Sequence, residues 1–381
     1  MSEHHNEVAL SFLKESGTNF PSRPKLVEDI LVFQMPDGLG MQFRGLPNPL
    51  VLRGALAERI LPKLLPLLDG QHDVSQLIEL FAKDATASDI ADLLKNLFTR
   101  GAIAGVDDFR HTPNNVVDTK HQLFFGRRLG LTRNNNCSSE VIDKLKTARI
   151  VVIAEGLLGA TVIDLLHRSG FDNLIVAALK TEKASEELFA HFSNPVQVTF
   201  TESNESAVRN YLQSRLKTAD LVVAALRNLP QSVFMAINEL CVQAGIQWLR
   251  ACDNGSNIEV GPYVNPYDSA CFECLLVRQV SVSDYAVEEE LYQKHLEEQS
   301  ALTGLSGESI GLATQSAAYI AQESVRIISA IEKPQLDGSV ITFHSSGNIE
   351  QNWFTRVPRC EVCARGGAIS IPESPHASHA F

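Results

Sequence analysis

Two short cysteine pairs, Cys271-Phe-Glu-Cys274 and Cys360-Glu-Val-Cys363, constrain this chain more than any other feature. A C-x-x-C turn lets two thiolates hold one metal ion, and two such turns supply the four sulfurs of a closed tetrahedral zinc site. The stretch separating the pairs, from residue 274 to residue 360, is far longer than a zinc ribbon needs. An autonomous finger is therefore excluded. The metal would instead tie a central loop to a C-terminal segment of a larger domain. Turn-forming residues precede each pair, Asn265-Pro-Tyr-Asp-Ser269 before the first and Arg356-Val-Pro-Arg359 before the second. Four thiolates with no open coordination position favour structural Zn2+ over a redox dithiol, and both over unrelated buried cysteines.

The chain has 381 residues, enough for two or three domains, and a net charge of −12. That charge speaks against non-specific nucleic-acid binding. No apolar run reaches the length of a membrane span. The segment Met1–Glu7 is polar and His-rich rather than signal-like, so the expected compartment is the reducing cytoplasm. Three cysteines fall outside the pairs. Cys241, on an apolar helix, and Cys252, at the end of a strand, read as core residues; Cys137, in a polar loop, is the one candidate for a reactive thiol. His376 and His379 lie in a Ser- and Pro-rich tail and read as solvated.

After a polar arm (residues 1–23, with a short helix expected over Val8–Lys14), the pattern alternates. Strands are expected at Asp29–Met35, Met41–Arg44 and Leu50–Arg53, separated by turns at Pro36–Gly40 and Gly45–Pro49. From Ala55 the period becomes helical, with Leu56, Ile60, Leu64, Leu67 and Leu68 on one face. Asp73 or Ser75 caps a second helix to Phe81, and Ser88 a third, carrying Ile90, Leu93, Leu94 and Leu97 up to Gly101. Three strands followed by three helices make a winged-helix-like module with an edge strand available for peptide addition. A DNA-binding helix would need a basic face, yet Asp89, Asp92, Lys95 and Arg100 are mixed in sign.

The module, residues 24–106, resembles the PqqD-like recognition element of peptide-modifying pathways. The likeness rests on Val32-Phe33, on the Gly70-Gln-His-Asp-Val-Ser-Gln-Leu77 segment and on Asp92–Ile103. That resemblance implies a precursor leader lying antiparallel to the third strand and beside the third helix. Its groove would be Leu50, Val51, Leu52 and Arg53 with Asp89, Asp92, Leu93, Asn96 and Arg100.

Residues 107–140 read as a linker with a docking helix at Phe124–Arg128. A helix from Ser138 or Ser139 to Leu145 leads into Ala148–Ala154, an apolar run suited to a strand buried on both faces. Glu155-Gly-Leu-Leu-Gly159 and a helix to Ser169 follow, the opening of a doubly wound nucleotide-binding fold. Further strands are expected at Leu174–Ala178, Asp220–Ala225 and Ile246–Ala251, with helices at Ser203–Arg215 and Gln231–Ala244. The turn is wrong for a nucleotide. Its first glycine is Ala154, and Glu155 would repel phosphate. The ribose-binding acid is missing from Val176-Ala-Ala-Leu-Lys180. Beyond the first cysteine pair come an acidic helix (Tyr285–Gln299), a loop (Thr303–Gly307), a long helix rich in small residues (Ser309–Ile331), a hairpin (Val340–His344 and Asn352–Thr355) and a loose tail from residue 368.

Residues 141–367 resemble the ThiF/MoeB-type adenylating family, above all its peptide-maturing members. The markers are the degenerate turn, Ala219–Ala225, Gly261-Pro-Tyr-Val264 and both cysteine pairs. The family's Mg-ATP aspartate falls at Leu226, followed by Arg227, so ATP use is not expected. The fold class is α/β: a winged-helix-like (PqqD-like) module followed by a Rossmann-like ThiF/MoeB-type doubly wound domain with a structural zinc site. The whole resembles the partner protein of azole-forming peptide maturation. This resemblance implies a non-catalytic binder that grips a precursor leader and presents Cys, Ser or Thr residues to a YcaO-type cyclodehydratase, with a surface for that enzyme or for a second copy. An ATP-dependent enzyme adenylating a peptide carboxyl group is the competing reading; a winged-helix transcription regulator leaves the second half without a use.

Overall fold

The computed structural model describes residues 20–36, 38–105, 116–132, 134–135, 137–180, 185–192, 196–227, 229–266, 268–298 and 307–364. The expected Val8–Lys14 helix, most of the 303–307 loop, the tail from 368 and both of its histidines lie outside them. The chain divides into two compact units, Met1–Leu145 with Ser329–Lys333, and Lys146–Ile328 with Pro334–Phe381.

In the first unit, strands β2 (Leu31–Gln34), β3 (Met41–Arg44) and β4 (Leu50–Leu52) form an antiparallel sheet in that order. Register places Val32, Phe43 and Leu50 in one row and Phe33, Gln42 and Val51 in the next. Successive side chains alternate between faces. Phe43 and Leu50 are accordingly buried, while Phe33 and Val51 are exposed. The helix expected from Ala55 is broken into α1 (Ala55–Arg59) and α2 (Leu61–Leu64). Pro62 has no N–H for the Glu58 carbonyl, so the first helix cannot run on.

Helix α3 (Val74–Leu80) is capped by Asp73 in a reciprocal box with Gln76. Helix α4 (Ala87–Thr99) starts two residues earlier than a Ser88 cap implies. Thr86 accepts from the Asp89 amide and the Asp89 carboxylate accepts from the Thr86 amide. An unforeseen ribbon pairs β1 (Pro24–Leu26) with β5 (Ile103–Gly105), tying the two ends of the module. Phe43, Ile60, Leu61, Leu64, Leu77, Ile90 and Leu94 form one fully buried cluster behind the sheet. Three helices follow, α5 (Val116–Gly126), α6 (Leu129–Thr132) and α7 (Ser138–Thr147).

The second unit runs β6 (Arg149–Ala154), α8 (Gly156–Arg168), β7 (Asn173–Lys180), α9 (Ser185–Phe192), β8 (Val198–Glu202), α10 (Glu205–Gln213), β9 (Leu221–Arg227), α11 (Gln231–Ala244), β10 (Gln247–Asp253) and β11 (Asn257–Val264). It continues with α12 (Phe272–Val282), α13 (Ala286–Glu298), α14 (Ile310–Ser329), β12 (Ser339–His344) and β13 (Ile349–Trp353). The sheet order is β13-β12-β11-β10-β9-β6-β7-β8, parallel from β8 to β10 and antiparallel beyond. From β6 the chain moves outward to β7 and β8, then returns to place β9 on the other side. The crevice at the carboxyl ends of β6 and β9 is therefore the switch point of the sheet. Strand β11 escapes a sequence reading because Gly261-Pro262 interrupts its pattern; its pairing with β12 ends at Val260, just before them. No helix among the described residues is long and apolar enough to cross a membrane.

Candidate functional site

Cys271 is the residue before α12 and Cys274 lies in its first turn, while Cys360 and Cys363 follow β13 on a short turn closed by the Ala364 amide on the Cys360 carbonyl. The four Sγ atoms all lie within 4.8 Å of one another. The Sγ–Sγ distances include 3.9 Å (Cys271–Cys274), 3.6 Å (Cys271–Cys360) and 3.6 Å (Cys274–Cys363). Those spacings exceed a disulfide bond of about 2.05 Å. They match the separation of about 3.8 Å that a tetrahedron with metal–sulfur bonds of about 2.3 Å requires. The donor set fits one soft metal ion. As bare thiols Cys271 and Cys363 are in conflict: hydrogen bonding with Cys274 and Cys363 pushes Cys271 up, while hydrogen bonding with Cys271 holds Cys363 down. A dication removes that conflict by binding thiolates.

The surroundings hold the first pair rigidly. The buried Asn238 Oδ1 accepts from the Phe272 amide at 3.1 Å and the Trp248 indole at 3.3 Å, joining the start of α12 to α11 and β10. The Val357 amide donates to Cys274 Sγ at 3.3 Å. These partners orient the sulfurs, the usual task of groups behind a metal ligand.

The second feature is the crevice at the switch point. Gly159 packs its Cα against Ala154; an added Cβ would stand 2.9 Å from the Ala154 Cβ, so close strand–helix packing survives here. The phosphate-facing part does not. Glu155 is buried, and its Oε2 accepts from the Arg227 amide at 2.9 Å. Glu308, far along the chain, places Oε2 2.6 Å from the Leu157 amide. Leu226 is fully buried, and the Arg227 guanidinium lies 3.9 Å from the Asp253 carboxylate. Nothing in the sequence near residues 154–159 signals Glu308 or Asp253, because both arrive from other connections of the sheet.

Beside the crevice, α11, α12 and α13 enclose a cavity of about 500 Å³, walled by Phe234, Phe272, Tyr285 and Tyr292 with Arg250 inside. The Arg250 guanidinium lies about 5 Å from both phenylalanine rings and donates to Glu259 at 2.9 Å and the Gly261 carbonyl at 3.1 Å. Cys252 also lines it, but burial pushes its thiol up to about 12, and burial raises Cys241 further still. Neither is a nucleophile at neutral pH. Cys137 is half-buried, with its sulfur 3.1 Å from Ser139 Oγ.

The residues expected to form a peptide groove divide into two sets. Leu50 and Leu93 are buried in the module's apolar cluster, so their side chains are core rather than contact surface. The Asp89 carboxylate is taken by the α4 cap, and bonding to Thr86 holds it below the usual carboxylate range. Val51, Arg53, Asp92, Asn96 and Arg100 are exposed, and Leu52 is half-buried on β4, an edge of the sheet. Asn96 Nδ2 donates to the Asp92 carbonyl.

Residues 176–362 match the ThiF family model, from within β7 through the first cysteine pair and Cys360. The second unit carries a ThiF family domain. No curated protein matches the chain in sequence. In structure the chain is similar to MccB of E. coli solved with AMPCPP and MccA, at 18% identity and a TM-score of 0.67, covering 89% of this chain and 99% of that one. MccB with ATP gives 17% identity and 0.65, over 90% and 99%. The heterocyclase TruD gives 16% and 0.57, over 90% of this chain and 43% of that longer one. At these identities the likeness establishes the fold of this ThiF-like chain.

Proposed function

We propose that this chain is a leader-binding scaffold of ribosomal-peptide maturation, delivering the Cys, Ser or Thr residues of a precursor to a YcaO-type cyclodehydratase. The single observation carrying the non-catalytic part is the pair of carboxylates, Glu155 and Glu308, at the turn where a nucleotide's phosphates would lie. Leu226, where a metal-binding acid would stand, adds to it. The fold shared with an MccB solved with MccA and with the heterocyclase TruD supports a place in peptide maturation. In this reading the ThiF-like unit is a platform whose C-terminal arm is held by Zn2+ on Cys271, Cys274, Cys360 and Cys363. The leader pairs with β4 and meets Val51, Leu52, Arg53 and the exposed face of α4. Tethering raises the local concentration of the core at the partner's active site, so the scaffold accelerates modification without chemistry of its own.

A second reading, adenylation of a peptide carboxyl group, is favoured by the near-complete coverage of MccB, solved also with ATP. One experiment separates the two: binding of a labelled leader, taken from a precursor encoded beside this gene, with and without Mg-ATP. The scaffold reading expects binding indifferent to ATP and no pyrophosphate release. Val51→Asp and Arg53→Glu, both on exposed positions, are expected to weaken binding by about tenfold each with no loss of thermal stability. Pyrophosphate release that depends on the peptide would establish the adenylating enzyme instead.

A further inference from the structure

We propose that the N-terminus of α8 is an anion site which the chain fills with its own Glu308 carboxylate, an internal contact that shuts out phosphate esters. The inference rests on the ATP-independent reading above and supplies its physical cause. The first amides of a helix lack intrahelical partners and carry partial positive charge, so they attract an anion. The residue placed to cap α8 does not do so: Glu155 makes no side-chain capping bond, its carboxylate being turned to the Arg227 amide. Glu308 takes that role from another connection, with Oε2 2.6 Å from the Leu157 amide.

Its approach is fitted to the backbone. Gly156 has φ +61°, and a Cβ there would lie 2.8 and 2.9 Å from the two Glu308 oxygens. The missing side chain thus makes room for the carboxylate itself. The glycine that lets a phosphate approach the turn in a working nucleotide site here admits a glutamate. The position lies at the switch point between β6 and β9, the one place in this sheet where a ligand is expected from topology alone. A phosphate group would need the same amide and the same space. It would also face the Glu155 carboxylate one residue before the helix, a like charge that raises the barrier further.

The test uses the full chain as wild type, Glu308→Ala and Glu308→Gln, each titrated with inorganic phosphate and, separately, with ATP. Binding is read from the amide resonances of Gly156 and Leu157 and from ligand-dependent thermal stability. Removing the carboxylate is expected to tighten phosphate binding by about tenfold or more over the wild type, with the Gly156 and Leu157 amides moving most. The Gln variant keeps the side-chain length and the fold, so it decides the matter should the Ala variant not fold: it too is expected to admit phosphate more readily than the wild type. Equal phosphate affinity in wild type and variants, or shifts centred elsewhere, would overturn the proposal. Leader affinity, measured on the same samples, is expected to be unchanged. The scaffold reading stands or falls on that number, and the anion site on the phosphate titration.

Discussion

Replacing Cys274 by serine, or stripping the metal with a chelator, is expected to release the C-terminal arm and lower the stability of the ThiF-like unit by about 4 kcal/mol or more, the range reserved for loss of a metal or disulfide. The reason lies in where the sulfurs come from. Cys271 and Cys274 start α12, whose first residues sit in the core beside Phe234 and Trp248. Cys360 and Cys363 stand at the far end of the sheet's last hairpin, on a segment with little regular structure. Cys360 is buried in one cluster with Cys271, Cys274 and Leu275, and Phe354, Val357 and Val362 pack against it; the ion would add the direct bonds between the two pairs. Without it, four buried or half-buried thiols are left crowded together. Metal analysis of the wild type is expected to give about one zinc per chain, falling to near none in Cys274→Ser, with a matching drop in melting temperature. Cys241→Ala is the control, a buried cysteine outside the quartet that is expected to keep the full metal content. A Cys274→Ser protein with unchanged melting temperature would mean that the arm is held without the ion.

Much of this arrangement was legible in the residues because local chemistry and topology agree. The cysteine spacing pointed to a closed four-sulfur set, and the sulfurs do come together. The apolar run at 149–154 followed by a glycine turn announced the parallel sheet, and Leu221–Arg227 and Gln231–Ala244 fell close to where period and caps put them. What the residues concealed was non-local or too short to show a period. The strands Pro24–Leu26 and Ile103–Gly105 are three residues each and exist only through pairing with one another. Leu50 and Leu93 were expected in the groove because the family resemblance assigns it those stretches of the third strand and third helix, yet pleat and helical period turn both inward. Glu308 carried no local signal at all. Its meaning depends on a helix end more than a hundred residues earlier, and no window of sequence contains both.

Glu323 shows the same dependence, and its removal is expected to have the second-largest effect. Its carboxylate is fully buried near the end of α14. One oxygen accepts from the Gln335 amide at 2.5 Å and the Leu336 amide at 2.9 Å; the other accepts from Arg326 at 3.0 Å. Those two amides stand at the entry to the β12–β13 hairpin, and that hairpin leads to Cys360 and Cys363. Glu323→Ala would take an acceptor from the buried Leu336 amide, from the Gln335 amide and from the Arg326 guanidinium, at a cost of about 3–5 kcal/mol. Glu323→Gln keeps a carbonyl oxygen for the amides and resembles the protonated acid in shape and charge, so its cost is expected to be smaller, about 1–3 kcal/mol. Burial raises the Glu323 pKa above 4.5 despite the Leu336 amide and Arg326. A folded pKa above the unfolded one means that the contribution is fully present below the unfolded value and is lost as pH rises through the folded value. The stability advantage of wild type over Glu323→Gln is therefore expected to shrink as pH rises through the raised folded-state pKa, as thermal melts in a pH series would read; an advantage that grows as pH rises would contradict the assignment. The coupling to the cysteine arm has its own readout. Glu323→Ala is expected to speed transfer of zinc to a competing chelator, whereas Glu323→Gln leaves it close to the wild-type rate. An unchanged rate in the Ala variant would show that the metal, rather than the hairpin, sets the position of the second cysteine pair.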